Sequence, residues 1–220
     1  MLISCWSPKG GSGTTVIAAA LAMLHAQQAG SWLVDTQGDL DAVFPTSDAP
    51  AAAGFRQWSS LINDARPQRL ADVAYAATSD VMLIPAGPVV ADAPRPSAQR
   101  IAEFAEWVGG DVAIVDAGTV SDGGESYASL FSDVADHSYC VVRLCFLSLR
   151  RLQQSSVTPT GLIIIDEPNR MLAPEDFVRS VHAPVIATIP WDASISRSVN
   201  AGTLGRAMPK QLVRALGRAA

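Results

Sequence analysis

The residues with the plainest chemistry are Lys9-Gly10-Gly11-Ser12-Gly13-Thr14-Thr15. Three glycines in seven positions let the backbone turn several N–H groups toward one point. The run sits between an apolar stretch, residues 2–6, and an alanine-rich helical pattern, residues 16–29. A helix beginning there aims its positive end at the same point, so amides and dipole together suit a phosphate group. Thr15 supplies a hydroxyl where a phosphate-binding loop ligates Mg²⁺, and the lysine such loops carry after the last glycine is here Thr14. A lysine does occur, at the front of the loop, as Lys9.

Two acids stand at the ends of apolar runs. Residues 112–115 lead into Asp116, then Ala117 and Gly118, a pattern in which the carboxylate holds Mg²⁺ and the glycine N–H faces a terminal phosphate. Residues 31–34 lead into Asp35, followed by Thr36-Gln37-Gly38-Asp39-Leu40-Asp41. Gln37 can orient a water but cannot take its proton. Asp39 and Asp41 are read either as substitutes for a missing acid or as part of a solvated loop.

The glycine loop resembles the deviant Walker A motif, K-G-G-x-G-[KT]-[ST], of the MinD/ParA family of P-loop ATPases, and Thr14 resembles the CpaE/TadZ-like subgroup. The resemblance covers essentially the whole chain, because the loop, the Asp35 segment, the Asp116 strand and the Pro190 loop come in family order. It implies ATP and Mg²⁺ as cofactors. It also implies a homodimer sandwiching nucleotide, with Lys9 crossing to the partner's site, and a role in localising Tad-type pilus or secretion machinery. By the same resemblance Asp35 joins Thr15 and Asp116 at the metal, and Gln37 holds the place of a catalytic acid. Residues 162–165 end at Asp166, where the family places an asparagine that reads adenine. A carboxylate there suits the two N–H donors of guanine, so GTP is an alternative to ATP. Pro190 and Asp192 resemble the late loop that lines the base. Larger CpaE relatives carry an extra N-terminal receiver-like domain, and the expectation for this chain is the P-loop domain without one.

These residues need a scaffold, and the pattern supplies one. Apolar runs at 2–6, 31–34, 81–85, 112–115, 139–144, 162–165 and 185–189 alternate with helical patterns. Continuous rather than alternating hydrophobicity suits strands covered on both faces. The expected fold is α/β: a doubly wound, mostly parallel sheet of about seven strands with helices on both faces, a P-loop NTPase in a single domain, residues 1–220. Ligands bind such sheets beyond the carboxyl ends of the strands, where the acids and glycines fall.

A 220-residue chain that is 49% hydrophobic can bury one substantial core. A net charge of −5 argues against a general nucleic-acid coat. No leader-like segment precedes the first strand and no run reaches membrane-spanning length, which gives a cytoplasmic expectation with any membrane contact peripheral. Cys5, Cys140 and Cys145 read as reduced thiols rather than iron–sulfur ligands. Phe55, Trp58, Leu61 and Ile62 share a helical face expected to be core. Residues 42–54 read as a connection, the loop 121–126 as polar and movable, Pro94 and Pro96 as breakers before a helix at 98–107, and a further helix as beginning at Asn200. Arg143, Arg150 and Arg151 read as solvent-facing before they read as contacts to a partner or a phosphate. The tail from 193 carries Arg197, Arg206, Lys210, Arg214 and Arg218 without an acid, and reads as a closing helix before it reads as a membrane or nucleic-acid contact.

Losing the second lysine removes a charge-assisted hydrogen bond, a weakening of about ten- to a hundredfold in affinity. Three classes then stand: a nucleotide-dependent switch with slow or absent hydrolysis, at most a weak ATPase; a ParA-like DNA-partitioning ATPase; and a pseudo-ATPase scaffold that binds no nucleotide.

Overall fold

The computed structural model describes residues 1–45, 53–61, 66–89, 96–120 and 126–217. The first half runs β1 (Leu2–Ser7), α1 (Thr14–Ala29), β2 (Ser31–Asp35), α2 (Leu40–Val43), α3 (Phe55–Ser59), α4 (Arg69–Val73), β3 (Tyr75–Ala76), β4 (Val81–Ile84) and α5 (Ala98–Val108). The second half runs β5 (Ala113–Thr119), α6 (Tyr127–Val134), β6 (His137–Arg143), α7 (Phe146–Gln154), β7 (Gly161–Asp166), α8 (Pro174–Val181), β8 (Val185–Pro190), α9 (Ala193–Asn200) and α10 (Lys210–Leu216).

All eight strands join one sheet in the order β3-β4-β2-β5-β1-β6-β7-β8. Neighbours are parallel except β3, which pairs antiparallel with β4. Each of the seven apolar runs becomes a strand. The eighth, β3, has two residues and no apolar run to announce it, so it exists by pairing Tyr75 with Leu83 at the sheet edge. From β1 the chain crosses to β2 on one side, and β5 later leads over to β6 on the other. The ends of β1, β5 and β6 therefore meet where the direction of winding reverses, the place such sheets offer a ligand.

Side chains on the two faces form two cores. One gathers α1, α2 and α10 around Leu21, Leu33, Val141 and Leu212. The other is aromatic: Phe55 packs its ring within 5.4–5.9 Å of Phe104, Trp58, Phe131 and Tyr127. Helix α1 is buried on every side along its middle, from Ile17 to Ala22. A helix apolar all round belongs inside a protein; the alanines at 18, 19, 20 and 22 keep it thin enough to fit between sheet and α10.

Several local expectations are corrected. Helix α3 ends at Ser59, and Leu61 is exposed, so only Phe55 and Trp58 of the proposed face are core; Ile62 lies outside the described residues. Residues 42–43 belong to α2, and Val43 and Phe44 are buried rather than part of a loose connection, whose residues 46–52 are outside the description. No helix begins at Asn200: α9 ends there, having started where the Asp192 carboxylate accepts from Ser194 N at 2.7 Å. Pro94, residues 121–125 of the polar loop and Arg218 also fall outside the described residues. The closing helix docks as expected, with Leu212 and Leu216 fully buried, while Arg197, Arg206, Lys210 and Arg214 face outward. Cys5 and Cys140 are buried free thiols and Cys145 is half-buried. Among the described residues, no helix is long and apolar enough to cross a membrane.

Removing the ring at the centre of the aromatic core leaves a cavity its rigid neighbours cannot fill. Phe55→Ala should lower unfolding free energy by about 3–5 kcal/mol, read from the urea midpoint at unchanged slope.

Candidate functional site

The loop between β1 and α1 is drawn tight around one carbonyl. Ser7 Oγ and Ser12 Oγ each donate to Lys9 O at 2.9 Å. Gly13, the residue before α1, has φ 95° and ψ 17°, a left-handed conformation that glycine adopts without strain. No side chain caps α1, and no acid sits in its first turn. The leading amides of a buried helix thus face a common space without an internal acceptor. A Cβ added at Gly10, Gly11 or Gly13 would meet nothing within 4 Å, so the glycines border open volume. Lys9 is half-buried at the rim.

Opposite this nest stands Asp116. Parallel pairing sets Cys5 of β1 and Asp35 of β2 level with it on either side. It is fully buried; Oδ1 accepts from Gly118 N at 3.2 Å, and Oδ2 has no partner among the described residues. Burial pushes its pKa up to about 7, with the nearby Thr15 hydroxyl pulling down and the Asp35 charge pushing up. A buried carboxylate with a free oxygen beside a threonine hydroxyl and an amide nest fits Mg²⁺, which takes hard oxygen ligands and shares its coordination with waters and phosphates. Among the described residues no cluster of three or more His, Cys, Asp or Glu offers an all-protein cage. The donor set accordingly suits a metal that arrives with a phosphate.

Asp35 is also buried, but its oxygens are engaged. Oδ1 accepts from Gln37 N at 2.8 Å and Gly38 N at 2.7 Å, and Oδ2 from Leu40 N at 3.0 Å. What the geometry gives Asp35 is the shaping of the 36–40 loop. Burial raises its pKa, while these three amides and Arg56 lower it. The loop is tied back to β5: Thr36 Oγ1 donates to Asp116 O at 2.6 Å, and Gln37 Nε2 donates to Thr36 Oγ1 at 2.8 Å. The Gln37 side chain lies so close over Gly118 that a Cβ there would stand 2.2 Å from Gln37 Cδ. Gln37, Asp39, Asp116, Gly118 and the nest of residues 10–16 line one cleft of 470 Å³. The residues expected at the site from Gly10 to Thr15, with Gly118 and Asp116, therefore converge in space, and Gln37 and Asp39 share their wall.

Beside the cleft, over Gly13 and Val16, opens an apolar slot of 190 Å³ walled by Ile165, Ile189, Pro190, Trp191 and Asp192. Pro190 and Asp192 line this slot. Asp166 does not: it lies outside the lining, its side chain faces outward, and its carbonyl accepts from Trp191 N at 2.8 Å. The strand end holds the late loop by its backbone and does not present a carboxylate to the slot.

Two arginines outside the predicted site set border it. Arg143, read as solvent-facing before a phosphate or partner contact, lines both cleft and slot, with its guanidinium 5.3 Å from the Trp191 ring centroid. Its signal was its position, since it ends a buried strand as Asp116 does. Arg56, on α3, donates to Thr36 O at 3.0 Å, to Gly87 O at 3.2 Å and to Gln37 O, clamping the 36–40 loop from behind. Nothing in the sequence couples residue 56 to residue 36; only the fold does.

No protein-family model matches the chain, and no curated protein sequence does. Solved structures match its fold along nearly the whole length. A ParA family ATPase from Chlorobium tepidum superposes with TM-score 0.73 at 21% identity, covering 98% of this chain and 96% of that one. The septum site-determining protein MinD from Pyrococcus horikoshii, complexed with Mg-ADP, gives 0.72 at 19% identity, covering 99% and 93%. Apo McdA from Cyanothece gives 0.73 at 17%, covering 99% and 98%. The architecture is that of ParA and MinD ATPases.

The raised pKa of Asp116 fixes the sign of a pH effect. Between its ordinary value of 3.8 and about 7 the folded chain holds a proton the unfolded chain has lost. The stability it contributes is full below about pH 4 and declines as pH rises through 7. In the absence of ligand, Asp116→Asn should therefore flatten the decline in unfolding free energy between about pH 5 and 8, measured by denaturant titration at each pH. An unaltered slope would place the shift elsewhere.

Proposed function

We propose that this chain is a nucleotide-dependent switch of the MinD/ParA type that binds ATP with Mg²⁺ and dimerises face to face around it, with slow or absent hydrolysis. The observation that carries the reading is the uncapped amide nest of α1 facing the unpartnered oxygen of buried Asp116. Each lacks what the other's ligand supplies: the nest an anion, the carboxylate a cation. In this reading Thr15 and Asp116 hold Mg²⁺, which would offset the charge of the triphosphate. Residues 10–15 and Gly118 hold the phosphates, and Pro190 and Asp192 border the base. Asp35 shapes the loop that carries Gln37. The MinD neighbour is complexed with Mg-ADP, in keeping with this assignment.

Lys9 stands at the rim of the cleft. Burial pushes the nearby Cys145 thiol up, but hydrogen bonds with Ser148 and then the Lys9 charge bring its pKa below the ordinary value. Phe146 and Met171, 71% and 98% exposed, follow the carboxyl ends of β6 and β7 on the same side of the sheet. A cation at the rim and a partly apolar edge beyond it suit a second copy of the chain, with each Lys9 reaching the other's phosphates. Catalysis is poorly equipped. Gln37 orients water without accepting its proton, and Asp39, exposed on the same wall, is the carboxylate left for that task. We assign the chain, in the manner of CpaE/TadZ proteins, to positioning a Tad-type pilus or secretion apparatus from the cytoplasm, recruited to membrane-associated machinery.

A ParA-like DNA-partitioning role is the second reading, favoured by the outward-facing Arg197, Arg206, Lys210 and Arg214. Sedimentation velocity with and without ATP and Mg²⁺, run beside a phosphate-release assay, separates the readings. A ligand-dependent dimer with little release supports the switch; brisk release stimulated by DNA supports partitioning. No ligand binding leaves a scaffold. Lys9→Ala should lower ligand-dependent dimerisation more than nucleotide affinity, and equal losses would remove Lys9 from the interface.

A further inference from the structure

Arg143 is placed for a task the glycine loop leaves undone. Strand β6 is the neighbour of β1 opposite β5, so the loop is flanked by Asp116 on one side and Arg143 on the other. The Arg143 side chain is 28% exposed. Its Nη1 pairs with Glu167 Oε1 at 3.0 Å, and that carboxylate, 10% exposed, is shared with Arg170. Its guanidinium rests against the Trp191 ring, and its Nε is buried with no hydrogen-bond partner among the described residues. Two arginines share one glutamate, and of the three it is Arg143 that lines both the apolar slot and the phosphate cleft, where it is the cation facing Asp192, Asp39 and Asp116. Glu167 and Trp191 hold the fork in place, so little side-chain freedom remains to be lost when an anion arrives.

We propose that Arg143 is a nucleotide-binding residue that grips the polyphosphate from within the same subunit, supplying the cation that Thr14 does not. This rests on the nucleotide reading above and adds a division of labour. Arg143 serves binding by the single chain, whereas Lys9 serves the dimer. An arginine fork matches phosphate oxygens, and its position at the mouth of the slot directs it to the phosphates nearest the sugar.

The test is calorimetric titration of the full chain with Mg-ATP and, separately, with inorganic tripolyphosphate and Mg²⁺. Arg143→Gln keeps most of the stem and removes the charge. It should weaken both ligands by about ten- to a hundredfold, with Arg143→Lys recovering part of the loss for both. Thermal unfolding checks that each variant is folded. Loss for Mg-ATP with tripolyphosphate unchanged would make Arg143 a wall of the slot and overturn the assignment alone. Unchanged binding of both ligands would overturn it too. A wild-type chain that binds neither ligand would bring down the nucleotide reading, and this inference with it.

Discussion

The amino end of α1 is the constraint on which the site depends. Helix α1 is sealed between sheet and α10, so it cannot tilt to bring solvent to its first turn, and no side chain of its own closes that turn. Buried amides without acceptors are costly, each by about 1–3 kcal/mol; these escape the cost only by facing the open cleft. The glycines that border the cleft follow from the same demand, because only a thin backbone turns that sharply and leaves the volume free. Asp116 and Arg143 take their positions from the two strands that flank β1. The register of the sheet, rather than any loop, sets the distance from nest to carboxylate and from nest to guanidinium.

A second layer of contacts links the cleft to the rest of the molecule. Thr36 bonds the carbonyl of Asp116, Gln37 lies over Gly118, and Arg56 holds the carbonyls of residues 36, 37 and 87 together. Gly54 and Gly87 meet backbone to backbone beneath this clamp; a Cβ on Gly54 would stand 2.3 Å from Gly87 N. The 36–40 loop therefore cannot shift without disturbing either β5 or α3. Helix α3 is anchored in turn by Phe55 in the aromatic core. A change in charge at Asp116 has a short, bonded route to the surface that α3 and residues 85–89 form.

The sheet was legible in the sequence because both of its faces are covered, which makes strands read as unbroken apolar runs. What escaped had no such signature. Strand β3 is two residues long and exists by pairing alone. Leu61 shares the spacing of Phe55 and Trp58, yet the helix stops at Ser59, and spacing cannot show where a helix ends. Within the site, Gly13, Thr15 and Asp116 were legible because glycine turns and strand-ending acids are local patterns. Arg143 and Arg56 were not: the contacts that define them come from β7, β8 and the Asp35 loop, far along the chain. Asp166 lies outside the slot for a related reason. A strand end fixes the backbone, but whether the side chain turns into the slot depends on the loop packed beside it, here Trp191.

The charge inventory shows what this arrangement gains and gives up. A phosphate loop carries a lysine after its last glycine, and the MinD/ParA resemblance puts a catalytic acid two residues after Asp35. Here the first is Thr14 and the second Gln37, so one positive and one negative group are gone together and the local balance is nearly kept. The two losses differ in consequence. The cation can be replaced from any direction, because attraction to a phosphate falls off gradually with distance, and Arg143 stands within the same cleft. The acid is harder to replace, because proton abstraction needs an acceptor within hydrogen-bond reach of one water, and Asp39 is the carboxylate left on that wall. Binding is therefore the more easily preserved of the two functions. In the reading proposed above, Thr14, Gln37 and Arg143 in this cleft go with a role in which occupancy, rather than turnover, carries the signal.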